Sequence, residues 1–118
     1  MPGLSLHVMD VAHGVVGSGM RVEVWAMVGP GVPRSVAAGT IGRDGGLSDP
    51  ALAQTLAAGP YRATFHVGAY YAARGIAAET YPFLDVVHFD FGVADPAQHY
   101  HLPFKCTPWG FSCFRGGA

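Results

Sequence analysis

Apolar and polar residues alternate with a period of two through much of the chain, as in strands that bury one face. From Met20 to Val28, the residues Val22, Val24, Ala26 and Val28 fall on one side, with Arg21, Glu23, Trp25 and Met27 opposite. Tyr61 to Val67 sets Tyr61, Ala63, Phe65 and Val67 against Arg62, Thr64 and His66. Phe83 to Phe91 places Phe83, Val87, Phe89 and Phe91 together, with Asp85 among them, and Leu84, Val86, His88 and Asp90 opposite. Leu4–Met9 and Tyr100–Phe104 read as shorter strands, and Phe111–Phe114 pairs back across the turn Thr107-Pro108-Trp109-Gly110. Glycine- and proline-rich clusters separate these runs at 14–19, 28–35, 41–50 and 57–60. Short strands with turn signals between them predict an all-β sandwich. Asp49 followed by Pro50 reads as a helix cap ahead of Ala51–Ala57, and Ala69–Ala78 is alanine-rich around Gly75. One short helix is expected, with room for a second.

At 118 residues the chain is the size of one domain. Half of it is hydrophobic and 13% is charged, more apolar surface than a small monomer needs, which points to self-association. A net charge of −1 without a basic run excludes the electrostatic footprint of a nucleic-acid binder. No apolar stretch is long enough for a spanning helix, so no membrane partner is expected. The first residues lack the pattern of a signal peptide, which makes the cytoplasm the expected compartment. Cys106 and Cys113 are then expected as free thiols.

Six histidines stand out. His13 falls in a turn and is expected to be solvated, while His66 and His88 sit on polar strand faces. His7 lies within a strand between Leu6 and Val8, where burial is costly without a partner. His99 and His101, two apart, project from one strand face. Imidazoles that titrate near neutral pH can hold and polarise a water as general base. A metal is the rival explanation for His7, His99 and His101, but no carboxylate or thiolate completes the set, so neither metal nor cofactor is expected. Gly14–Gly19 lacks the Lys-Ser/Thr of a phosphate loop. The segment 94–118, rich in aromatics and ending near Arg115, Gly116 and Gly117, is expected to fold back beside the histidines.

Several blocks together resemble the transthyretin-like family, specifically its 5-hydroxyisourate hydrolases. They are LSLHVMD (4–10), RVEVW (21–25), YRATFHVGAYY (61–71), ADPAQHYHLPF (94–104) and TPWGFSCFRGG (107–117). The resemblance implies a prealbumin-type two-sheet sandwich with one short helix, assembled as a homotetramer with small-molecule sites where dimers meet. It also implies two histidines and an arginine that activate a water to open an oxidised urate ring, and a C-terminal Tyr-Arg-Gly-Ser that closes the site. By motif position His7 and His101 take the catalytic roles, and His99 a supporting one. Arg115 and Gly116 match the middle of the tail.

Three positions depart from that pattern. Gly46 stands where the family arginine ends an Asp-Gly-Arg turn, Phe114 replaces the tail tyrosine, and Gly117 the tail serine. Arg43, three residues before Gly46, is the candidate replacement for the lost guanidinium. Met9, Phe104, Phe111 and Phe114 are candidates to shape the pocket, with ordinary core packing the favoured reading of each. The expected function is a repurposed enzyme using paired histidines as acid and base on a small cyclic or carbonyl-bearing metabolite. The alternatives are an authentic hydroxyisourate hydrolase of urate breakdown and a non-catalytic ligand carrier.

Overall fold

Two four-stranded sheets face one another in the computed structural model, which describes residues 2–76 and 80–117. The strands are β1 (Gly3–Asp10), β2 (Val15–Val16), β3 (Arg21–Ala26), β4 (Arg34–Thr40), β5 (Gly59–His66), β6 (Val86–Val93), β7 (His99–Thr107) and β8 (Gly110–Cys113). One sheet has the order β2-β1-β7-β8 and the other β4-β3-β5-β6. The β1–β7 pair is parallel, and the other strand pairs are antiparallel.

The alternation works as the period of two requires. Leu4, Leu6 and Val8 of β1 and Tyr100, Leu102 and Phe104 of β7 point inward, where they meet Val22, Val24, Ala63 and Phe65 from the other sheet. Phe65 and Phe104 stack across the core with ring centroids 3.9 Å apart. At odd positions of β1 and β7, Ser5, His7, Met9, His99, His101 and Pro103 are left on the outer face, half-buried. This face carries the candidate chemistry. Phe104 is therefore core and does not shape a pocket on the histidine face.

Some elements differ from the sequence reading. β4 is an additional strand in Arg34–Thr40, a small-residue run (Ala37, Ala38, Gly39) of weak strand propensity that is held by pairing with β3. β2 is a two-residue strand inside a glycine cluster. β6 starts at Val86, so Phe83 lies outside it and is 78% exposed. Asp49 does cap: its Oδ1 accepts from Ala51 N at 2.9 Å, but the element it starts is only a 3-10 turn, Pro50–Ala53. The α-helix, α1, runs Val67–Ala73 and stops before Gly75, whose φ of +72° suits a helix end. The expected helical residues 77 and 78 lie outside the described residues.

Candidate active site

Parallel pairing of β1 with β7 sets Ser5 opposite His101 and His7 opposite Pro103. Strand spacing and rise then put the Cα atoms of His7 and His101 about 8 Å apart on one face. Ser5 lies between the two histidines of β7, its Oγ 2.8 Å from His99 Nε2 and 2.7 Å from His101 Nδ1. Motif reading passed over Ser5, although the same period-two rule that groups His99 with His101 places Ser5 beside His7. His101 Nε2 and both ring nitrogens of His7 enter no hydrogen bond among the described residues.

The loop before the 3-10 turn closes against His7. Gly42 N donates to Gly46 O at 2.9 Å, Gly45 N to Gly42 O at 3.0 Å, and Val8 N to Gly45 O at 2.9 Å, while Gly46 bridges His7. Gly45 has φ +84°, and a Cβ there would run into His7 Nε2. Both the backbone conformation and the packed imidazole demand glycine at this position. Gly45→Ala should lose about 1–2 kcal/mol of stability from the left-handed conformation and displace the His7 ring. Thermal unfolding together with the His7 ring NMR signals checks both effects; an unchanged melting midpoint and unchanged ring signals would contradict them.

Gly46, by contrast, lies outside the left-handed region. Arg43 occupies the exposed tip of the same loop, and no hydrogen bond among the described residues ties its side chain to a histidine. Asp44 turns back to accept from Gly46 N at 2.9 Å. The stretch of backbone bridged to His7 thus carries no guanidinium.

The tail does fold back. Gly116 N donates to His101 O at 2.7 Å, and a Cβ on Gly116 would stand 2.9 Å from His101 Cδ2. Its lack of a side chain lets the tail lie against that ring. Arg115 points elsewhere: its Nη2 donates to Gln98 Oε1 at 3.0 Å and to His99 O at 3.3 Å, with the guanidinium 4.1 Å above the Tyr100 ring. Phe114 is about half exposed beside them.

Beneath the outer face, Asp10 at the end of β1 is fully buried. Its carboxylate accepts from Tyr71 Oη at 2.6 Å and Tyr70 Oη at 2.8 Å, and from the His13 ring at 2.6 Å and backbone N at 3.2 Å. Burial alone would raise the Asp10 pKa, but the bonds from Tyr71, His13 and Tyr70 outweigh it and hold the value below the ordinary one. Burial, reinforced by donation to Asp10, pushes Tyr70 up to about 12 and Tyr71 higher still. His13 is therefore pinned to Asp10 and not simply solvated.

The remaining histidines are engaged on the other sheet, His66 with Glu23 at 2.8 Å and His88 with Thr64 at 3.0 Å. Cys106 and Cys113 are free thiols, raised to about 11 mainly by burial. Among the described residues no group of three or more His, Cys, Asp or Glu side chains converges to hold a metal ion, and no helix is long and apolar enough to cross a membrane.

This arrangement of His7, Ser5, His101 and a returning tail accords with residues 4–116 matching the HIUase/Transthyretin family. The chain belongs to that family. It is similar to the 5-hydroxyisourate hydrolase of Deinococcus radiodurans, 38% identical over 117 residues, covering 98% of this chain and 96% of that protein. It superposes on (S)-allantoin synthase with a TM-score of 0.87 at 34% identity, covering 98% of this chain but only 43% of that one. Sea bream transthyretin in complex with thyroxine superposes with a TM-score of 0.84 at 21% identity, covering 98% of this chain and 96% of that one. That last likeness establishes the two-sheet transthyretin fold alone. Within the family frame, the site differs from its expected pattern at Gly46, where the backbone is present and the cation is not.

Proposed function

We propose that this chain is a family enzyme in which His7 and His101 act as general acid and base on a small cyclic, carbonyl-bearing metabolite other than hydroxyisourate. The observation that carries the reading is the bare Gly45-Gly46 corner against His7. In the hydrolytic sense, one imidazole takes a proton from water as its oxygen bonds to the carbonyl carbon. The ring C–N bond then breaks, and the other imidazole delivers a proton to the leaving nitrogen. Ring closure uses the same transfers reversed. Without a guanidinium at Gly46, the oxyanion that forms has no cation there to stabilise it, a loss of about 100- to 1000-fold for a substrate that depends on it.

The reading includes a homotetramer working in the cytoplasm on a small molecule. Supporting assembly, Val11, Val15, Trp109 and Phe111 are each at least half exposed, apolar surface of the kind that subunits cover.

A second reading, authentic hydroxyisourate hydrolase, is favoured by curated relatives of that name matched across nearly the whole chain. Absorbance decay of freshly generated hydroxyisourate separates the two. The proposal expects slight acceleration that survives Arg43→Ala and disappears in His101→Ala. Fast decay abolished by Arg43→Ala would establish the hydrolase. A substrate that binds, with turnover unchanged in both His7→Ala and His101→Ala, would indicate a carrier.

A further inference from the structure

Ser5 has one hydroxyl proton and touches two imidazole nitrogens. It can fill the lone pair of only one of them, so the other nitrogen must bring its own proton. The tautomers of His99 and His101 are therefore not independent.

The direction follows from what each ring leaves open. His101 commits Nδ1 to Ser5, and its Nε2 meets no hydrogen-bond partner among the described residues. Accepting a proton from water or substrate thus falls to Nε2, which requires Nδ1 to be protonated already. Nδ1–H of His101 then donates to Ser5 Oγ, the Ser5 hydroxyl donates to His99 Nε2, and His99 carries its own proton on Nδ1.

We infer that Ser5 joins His101 to His99 as a proton relay, both rings resting as Nδ1–H tautomers; this deepens and rests on the acid–base reading above. When His101 Nε2 takes a proton, the ring becomes a cation. Its Nδ1 proton passes to Ser5 Oγ as the proton already on Ser5 passes to His99 Nε2. His101 is left neutral with its proton on Nε2, and His99 holds the charge. No atom or electron is gained or lost. The reverse shift returns a proton to His101 Nδ1 as Nε2 delivers the captured one, which resets the relay without the ring ever becoming an anion.

Other charged or titratable groups near this face are His7 on β1, Lys105 farther along β7, Asp44 on the glycine loop and Arg115 on the tail. Arg115 reaches only the backbone carbonyl of His99, at 3.3 Å, and its guanidinium lies over the Tyr100 ring. Ser5 is a positioning residue in this scheme, acting on the reaction through His101.

Nitrogen-15 spectra of the whole, histidine-labelled protein test the relay without any substrate. Neutral His99 and His101 should both show the Nδ1–H pattern, and protonating one should shift the ring signals of the other. Ser5→Ala should uncouple the two titrations, and Ser5→Thr, which keeps the hydroxyl, should restore the coupling. An Nε2–H resting form on either ring of the unmodified protein overturns the relay, as does unchanged coupling in a folded Ser5→Ala. If Ser5→Ala fails to fold, the tautomers of the unmodified protein decide alone. The coupled Nδ1–H pair in a protein whose His101→Ala variant turns over substrate normally would uphold the link and refute only the catalytic reading.

Discussion

Gly46→Arg should accelerate hydroxyisourate decay by about 100- to 1000-fold over the unmodified chain, the effect expected of one oxyanion-stabilising donor. The backbone permits it. Gly46 lies outside the left-handed region, and a Cβ there would meet Asp44 Oδ1 at 3.4 Å, an ordinary contact. The bridge to His7 fixes where the new side chain begins, beside one proposed acid–base group. Lysine at the same position should recover less, because it lacks the planar fork that holds a carbonyl oxygen with two donors. Absorbance decay at equal protein concentration measures both variants. A folded Gly46→Arg protein with no gain would refute the idea that a missing cation limits this reaction.

Asp10→Ala should lower stability by about 3–5 kcal/mol, since it removes a buried, hydrogen-bonded charge and strands the tyrosine hydroxyls that donate to it. For a chain of this size the thermal midpoint should fall by roughly 10–25 °C. The same carboxylate makes stability pH-dependent. Its pKa is depressed in the fold below the ordinary 3.8, so its contribution is complete above the unfolded value and drains away as pH falls towards the folded one. Acid unfolding should accordingly lose part of its steepness in Asp10→Asn, which keeps one acceptor oxygen without the charge. Chemical denaturation at several pH values checks this, and identical acid sensitivity in the two proteins would contradict it.

The legible parts of the fold were those in which each residue of a strand has a distinct side to face. β1, β3, β5 and β7 follow from alternation because inward apolar residues alternate with outward polar groups, whereas β8 follows from the turn at 107–110 that returns it against β7. β4 was hidden because Ala37, Ala38 and Gly39 carry little contrast between faces, and its existence depends on β3 as partner. Phe83 fitted the alternation of β6 but precedes the first paired residue, and alternation carries no information on where pairing begins.

The candidate site was legible in part for the same reason. His99 and His101 share a face by spacing alone, and His7 was marked by its place in an apolar strand. That His7 and His101 lie on one face depends on the parallel β1–β7 register, which joins the two ends of the chain and which alternation cannot supply. Ser5 was missed because a serine on a strand face is ordinary until two ring nitrogens stand within 3 Å of it. Arg115 matched the tail by motif, yet its guanidinium is taken by Gln98 and His99 O. Only the three-dimensional path of the tail shows that Gly116, not Arg115, meets His101.

The most direct measurement is a side-by-side assay of this protein and the Deinococcus radiodurans hydrolase on freshly generated hydroxyisourate, at equal subunit concentration. A rate at least about 100-fold lower for this chain is the predicted result, given the missing donor beside His7. Comparable rates would contradict the claim that the Gly45-Gly46 corner has moved this protein away from the reaction of its relatives.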